Sequence, residues 1–154
     1  MNFPDYGGHH RLRIGRFSQP NGVYLITSVT AERMQLFAEW DVACSAIRAF
    51  THPLLLRDAR LLCWVLMPDH VHWLVQLGND ADLAQLVCAM KSTSARALRR
   101  AGVSGLVWAK GYHDRAMRKE EDILPAARYV VANPVRAGLV RRFGDYPFWD
   151  SIYL

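Results

Sequence analysis

The sequence predicts an α+β domain: a ferredoxin-like, four-stranded antiparallel sheet with helices packed mainly on one face. Three observations carry this prediction. Patterned segments follow one another as strand, helix, strand, strand, helix, strand, helix. The two central strands are joined only by Pro68-Asp69, a connection so short that they must pair antiparallel. The 154 residues hold no internal repeat or low-complexity tract and suit a single domain over 1–154.

Residues 1–20 read as a basic N-terminal arm carrying Arg11, Arg13 and Arg16, closed by the turn-like Ser18-Gln19-Pro20-Asn21-Gly22. Residues 23–30 are β-branched and aromatic, as a strand requires. Residues 39–50 have helical periodicity, with Trp40, Ala43, Cys44 and Ile47 on one side. The hairpin follows, with strands over 60–67 and 70–77, ended by Gly78-Asn79-Asp80. A helix over 83–100 starts at a natural N-cap, Asp82, and turns Leu83, Leu86, Val87, Met90, Ala97 and Leu98 inward. Gly102 and Gly105 end it, and residues 106–113 read as the fourth strand. A last helix starts at Glu121 or Asp122 and tolerates Pro125 in its first turn. Pro134 interrupts it, and Gly138 reads as a C-terminal cap.

Composition narrows the function classes. With 51% hydrophobic and 21% charged residues the chain can bury a core. Nineteen Lys and Arg against fourteen Asp and Glu leave +5, a balance that favours a polyanionic partner. Cys44, Cys63 and Cys88 are scattered among apolar neighbours with no CxxC pair, and read as three buried thiols in a reducing compartment. Residues 1–10 lack the apolar region of a signal peptide, and the run 61–67 is too short to cross a bilayer. A cytoplasmic, soluble protein is the expectation.

Two constellations carry chemistry. On the strand 70–77 side chains alternate faces, so His70 and His72 point one way and Val71, Trp73, Val75 and Leu77 the other. Two imidazoles roughly 6–7 Å apart at their Cα atoms can converge on one cation. The same spacing also describes two half-exposed histidines on a sheet face. The nucleotide hydrolases with alternating histidines need a third at position 74, where this chain has Leu74. In the second constellation Tyr129 and Asn133 lie four apart, one above the other on a helix, away from the packing face of Ile123, Ala127 and Val130. A phenol is a weak nucleophile until a metal or base assists it. A packing tyrosine, with Asn133 as the N-cap before Pro134, fits the same pattern.

Together these segments resemble the REP-associated tyrosine transposases, a branch of the single-tyrosine HUH transposases of small insertion sequences. The resemblance is carried by Trp64-Val65-Leu66-Met67-Pro68-Asp69-His70-Val71-His72-Trp73 and by Ala127-Arg128-Tyr129 through Asn133-Pro134-Val135-Arg136-Ala137-Gly138-Leu139-Val140. Gly15-Arg16-Phe17-Ser18-Gln19-Pro20 with Tyr24-Leu25-Ile26-Thr27, Lys110-Gly111-Tyr112-His113-Asp114-Arg115-Ala116, and Asp145-Tyr146-Pro147-Phe148-Trp149-Asp150 extend it in order along nearly the whole chain. The resemblance implies that His70 and His72 are metal ligands, that Asn133 adds a third through its amide oxygen, and that Tyr129 attacks a scissile phosphate. It implies Mg²⁺ or Mn²⁺ as the metal and single-stranded DNA beside a REP-like hairpin as the substrate. Action as a monomer is favoured; relatives from insertion sequences work as dimers.

Basic side chains supply candidate DNA contacts: Arg11, Arg13 and Arg16 on the arm, Lys91, Arg96, Arg99 and Arg100 on a helix, and Lys110 and Arg115 near the fourth strand. Two other readings compete. A binding module for structured DNA or RNA would not need Tyr129, His70 and His72 together. A metal-dependent phosphodiesterase using water would not need the phenol.

Overall fold

The computed structural model describes residues 19–80 and 82–154. Along the chain come strand β1 (Val23–Val29), helix α1 (Trp40–Phe50), the single turn α2 (Pro53–Leu56), strands β2 (Arg60–Met67) and β3 (His70–Gln76), and helix α3 (Leu83–Arg100). Strand β4 (His113–Ala116), helix α4 (Ile123–Val131), the short α5 (Asn133–Arg136) and strand β5 (Trp149–Ser151) complete it. The sheet is antiparallel throughout, in the order β4-β1-β3-β2-β5. Its first four places are the ferredoxin-like order, with α1 and α3 as the two crossovers.

Cross-strand partners share a face, so the register separates two surfaces. Trp64 and Trp73 are partners, and Phe50 of α1 meets both edge-on, with ring centroids at 5.2 and 5.5 Å. Tilted edge contacts suit the quadrupoles of aromatic rings. Trp108 lies 6.1 Å from Trp73 and donates its Nε1–H to Ser94 Oγ of α3 at 3.0 Å. The crossover helices therefore cover the tryptophan face. Asp82 caps α3 as its sequence position predicts, accepting from the Ala84 N–H at 2.8 Å.

The opposite face carries His70, His72 and Leu74, with Thr27 and Leu25 beside them on β1 and Val65 and Cys63 on β2. Helix α4 lies across it, where Cys63 Sγ approaches the Ala127 carbonyl oxygen at 3.7 Å. This refines the expectation of helices mainly on one face: the two longest, α1 and α3, share one face, and the shorter α4 covers the other. A row containing Leu74, Cys63 and Val65 is too apolar to leave in water, and Ala127, Val130 and Val131 of α4 bury it.

The expected four-stranded sheet is corrected to five. Strand β5 adds three residues along β2, pairing Cys63 with Ser151 and Val65 with Trp149. The fourth strand lies at His113–Ala116, not over 106–113: Val107 and Trp108 are apolar because they enter the core beside an isolated bridge from Thr30 to Trp108. Trp40, placed inward by helical periodicity, is 60% exposed and leans on Phe148, while Ala43, Ala46 and Phe50 fill the core side of α1. Of the three cysteines only Cys63 is buried, its thiol pushed up to about 11 by desolvation, whereas Cys88 is exposed. Among the described residues no helix is long and apolar enough to cross a membrane.

Ser94 is fully buried; its hydroxyl donates to the carbonyls of Met90 and Lys91 at 2.7 and 3.0 Å and accepts from Trp108. Ser94→Ala strands the indole N–H in the core. A loss of about 1–3 kcal/mol is expected, measured as a lower urea midpoint with an unchanged slope.

Candidate active site

The hairpin turn is pinned by its own backbone. Pro68 O accepts from Phe37 N–H and Asp69 O from Thr30 N–H, so the segment after β1 holds the turn from outside. The Asp69 carboxylate then faces two groups. Its Oδ1 accepts from His70 Nδ1–H at 2.7 Å, and its Oδ2 lies 3.3 Å from Arg33 Nε. Arg33 reaches it from left-handed backbone, φ 54, next to Glu32 at φ 55. Two such non-glycine residues cost roughly 1–2 kcal/mol each.

A carboxylate only accepts hydrogen bonds, so Asp69 fixes the His70 proton on Nδ1 and leaves Nε2 as the basic nitrogen. His72 is 3% exposed, and its Nδ1 is hydrogen-bonded to Thr27 Oγ1 at 2.7 Å, across the β1–β3 register. The two rings stand edge to face, 4.9 Å between centroids. Burial disfavours the charged form of both rings. Burial lowers the His70 pKa, opposed by Asp69. Burial pushes His72 well below the ordinary histidine value, helped by the Arg136 and Arg33 charges and by the repulsion that a proton on neighbouring His70 would add.

Helix α4 delivers the phenol to this pair. The Tyr129 ring, half-buried, lies 6.4 Å from the His72 ring. Arg136 stacks its guanidinium over the ring, Cζ 3.9 Å from the Tyr129 centroid, and donates from Nη2 to the Tyr129 carbonyl at 2.7 Å. Histidines and tyrosine, 57 positions apart, thus meet within one chain.

Asn133 is half-buried at the α4–α5 break, four residues after Tyr129. It is not the N-cap that its place before Pro134 suggests. Ala132 already has near-helical angles, φ −79 and ψ −7, and takes that position, so Asn133 opens α5 and Pro134 follows inside the first turn. The end of α5 follows the expectation: Gly138 has φ 76, and the N–H groups of Gly138 and Leu139 return to the carbonyls of Val135 and Pro134.

The donor set fits a divalent cation. Each imidazole has its Nδ1 committed, one to a carboxylate, which leaves Nε2 as the nitrogen that a cation would meet. Neutral rings are the ligating form. Among the described residues no group of three or more His, Cys, Asp and Glu is placed to hold a metal, so a third donor to any cation would be of another kind, such as an amide or phosphate oxygen.

The basic candidates divide. Arg11, Arg13 and Arg16 lie outside the described residues. Lys91 donates to the carbonyls of Ala109 and Gly111 at 2.8 and 2.7 Å, which ties α3 to the loop before β4 and accounts for its charge within the fold. Arg96, Arg99 and Arg100 are exposed on α3, across the sheet from the histidines. Lys110 is exposed on the loop. Arg115 is exposed on β4, and its register with Leu25 puts it on the histidine face, two residues from His113, the partner of Thr27. Sequence reasoning missed Thr27, Arg33 and Arg136 at the site. Only Thr27 had a signal, the register of β1 against the histidine strand.

The model of the family described as "Transposase IS200 like" matches residues 18–133, which span β1, the histidine hairpin and the tyrosine helix. The chain belongs to the IS200-like transposase family. The chain is 28% identical over 94 residues to the REP-associated tyrosine transposase of Escherichia coli (strain K12), covering 60% of this chain and 54% of that one. A relative from Haemophilus influenzae (strain ATCC 51907 / DSM 11121 / KW20 / Rd) is 27% identical over 94 residues, 54% of this chain and 53% of its own. The matches thus span about half the length of these curated relatives. In fold, the chain is similar to a REP-associated tyrosine transposase solved bound to a REP hairpin, with a TM-score of 0.70 at 23% identity over 87% of this chain and 79% of that chain.

Proposed function

We propose that this transposase nicks and rejoins single-stranded DNA next to a REP-like hairpin, with Tyr129 as the nucleophile. The observation that carries the reading is the Tyr129 ring 6.4 Å from a buried, neutral His72 whose neighbour His70 is oriented by a carboxylate. The phenol oxygen attacks the scissile phosphorus, and the bond from phosphorus to the 3′ oxygen breaks. The phenol proton is lost to solvent and the departing strand gains one, leaving a 3′-hydroxyl and a 5′-phosphotyrosine. Attack by a 3′-hydroxyl reverses the step and restores the phosphodiester without ATP, since the tyrosyl ester keeps the bond energy.

His70, His72 and the amide oxygen of Asn133 would hold Mg²⁺ or Mn²⁺, which supplies Lewis-acid polarisation of the phosphate. The chain's own contribution is to fix the His70 tautomer, bury His72 and hold the Tyr129 ring beside it. Tyr129 faces the histidines of its own chain, which supports action in cis by a monomer. Arg115, on the same face, is the basic side chain best placed to follow a DNA backbone leaving the site, and the proposal keeps Arg11, Arg13, Arg16 and Lys110 as further phosphate contacts.

The test is a denaturing gel. Single-stranded oligonucleotides bearing palindromic hairpins with unpaired flanks are incubated with the protein and Mn²⁺ or Mg²⁺. A protein–DNA adduct that resists denaturant, and vanishes with EDTA, is the expected result. Tight hairpin binding with no adduct under any metal would identify a binding module instead.

A further inference from the structure

We propose that Arg136 is the positioning residue of the nucleophile, holding the Tyr129 ring and its backbone in the attacking pose. The proposal rests on the reading of Tyr129 as the attacking group. Two contacts of different kinds support it. The guanidinium lies over the ring, Cζ at 3.9 Å from its centroid, and Nη2 donates to the carbonyl of the same residue at 2.7 Å. One side chain thus restrains both the ring and the peptide that carries it. A guanidinium can do this because it is planar and forked; an ammonium cannot stack and donate in the same way.

Local sequence creates this geometry. Helix α4 ends at Val131, and Pro134 brings no N–H to the turn that follows. The chain re-enters helical structure at Asn133, so the Tyr129 carbonyl receives the guanidinium of a residue seven positions later. Gly138, left-handed at φ 76, then stops α5 two residues after Arg136. The run Asn133-Pro134-Val135-Arg136-Ala137-Gly138 is therefore a compact bend that folds its arginine back on the preceding helix. The charge also lies near the reacting groups, where negative charge collects as the tyrosyl ester forms and breaks.

A merely structural arginine, in the last turn of a short helix, would affect stability alone. The experiment compares Arg136→Gln, Arg136→Lys and, as a surface control, Arg141→Gln. Single-turnover cleavage and hairpin affinity are measured separately, and protein labelled with 3-fluorotyrosine reports the Tyr129 ring by ¹⁹F NMR, assigned through Tyr129→Phe. Arg136→Gln is expected to slow cleavage by about 10²-fold, the scale of an ångström-sized misplacement, with hairpin affinity unchanged, and to shift and sharpen the Tyr129 resonance. Arg136→Lys should fall between, and Arg141→Gln should match wild type in every readout. Millimolar guanidinium added to Arg136→Ala should restore part of the lost rate.

Unchanged cleavage and an unmoved Tyr129 signal in a folded Arg136→Gln protein would overturn the proposal. So would parallel losses of affinity and rate, which would make Arg136 a DNA contact. The ¹⁹F arm needs no cleavage. A wild-type protein that never cleaves would count against Tyr129 as nucleophile, while a Tyr129 ring that moves on loss of Arg136 would still show the restraint.

Discussion

Tyr129→Phe is expected to abolish the covalent protein–DNA adduct and strand cleavage together, while hairpin binding and folding survive. The substitution deletes one oxygen. A phenylalanine ring still stacks beneath the Arg136 guanidinium, whose second contact is to the backbone carbonyl and is untouched. The packing of α4 on the sheet is made by Ala127, Val130 and Val131 with the Tyr129 ring beside them, and phenylalanine keeps that ring. What disappears is the atom that would bond to phosphorus. Removing a covalent nucleophile costs on the order of 10⁴–10⁶ in rate, which takes a slow nicking reaction below detection. The measurement is the denaturing gel read for adduct and product, beside a native gel for hairpin binding. Cleavage that persists in Tyr129→Phe, with no adduct in either protein, would show that water attacks, and the chain would be a metal-dependent phosphodiesterase built on a transposase fold.

The sequence was most legible where signals were local. Strand β2 ran over the predicted residues and β3 ended one residue early, because Pro68-Asp69 leaves only one way to join two β-branched runs. Helix α3 likewise started at its Asp82 cap. Local pattern failed where long-range packing decides. Residues 106–112 are apolar enough for a strand, yet Val107 and Trp108 are core side chains of a loop. Strand β5 has three residues, and its pairing with β2 leaves no mark on its own periodicity. The HxH alternation put both imidazoles on one face but could not say that α4 would cover that face and bury His72. Nor could spacing bring Tyr129 to His72; a family resemblance named both, and only the fold of α4 over β2 and β3 sets them 6.4 Å apart. Arg136 was hidden for a similar reason. Its contact with Tyr129 exists because the chain breaks between α4 and α5; a straight helix would put the two residues on one face but about two turns, roughly 10 Å, apart.

His72→Ala is expected to slow single-turnover cleavage by about 10²–10⁴-fold, the equivalent of the several kcal/mol that a metal ion contributes to a phosphoryl transition state. Since His72 is buried, the variant also loses packing and its bond to Thr27, so activity alone does not isolate the imidazole's role. Acid titration of the metal-free proteins does. Burial depresses the pKa of both imidazoles, that of His72 the more strongly. As pH falls below about 6.5, the unfolded chain binds protons that the folded site refuses. The stability that the neutral pair contributes is therefore fully present above that pH and declines below it until the folded pKa is passed. Each refusing histidine adds a slope of up to about 1.4 kcal/mol per pH unit. Urea midpoints followed from pH 7 downward should therefore fall more steeply for wild type than for His72→Ala, even though the variant starts lower. Equal slopes would mean that water reaches His72 in the folded protein. A hydrated imidazole there would be protonated in the ordinary range, and the chain would have no neutral, pre-set nitrogen pair to offer a cation.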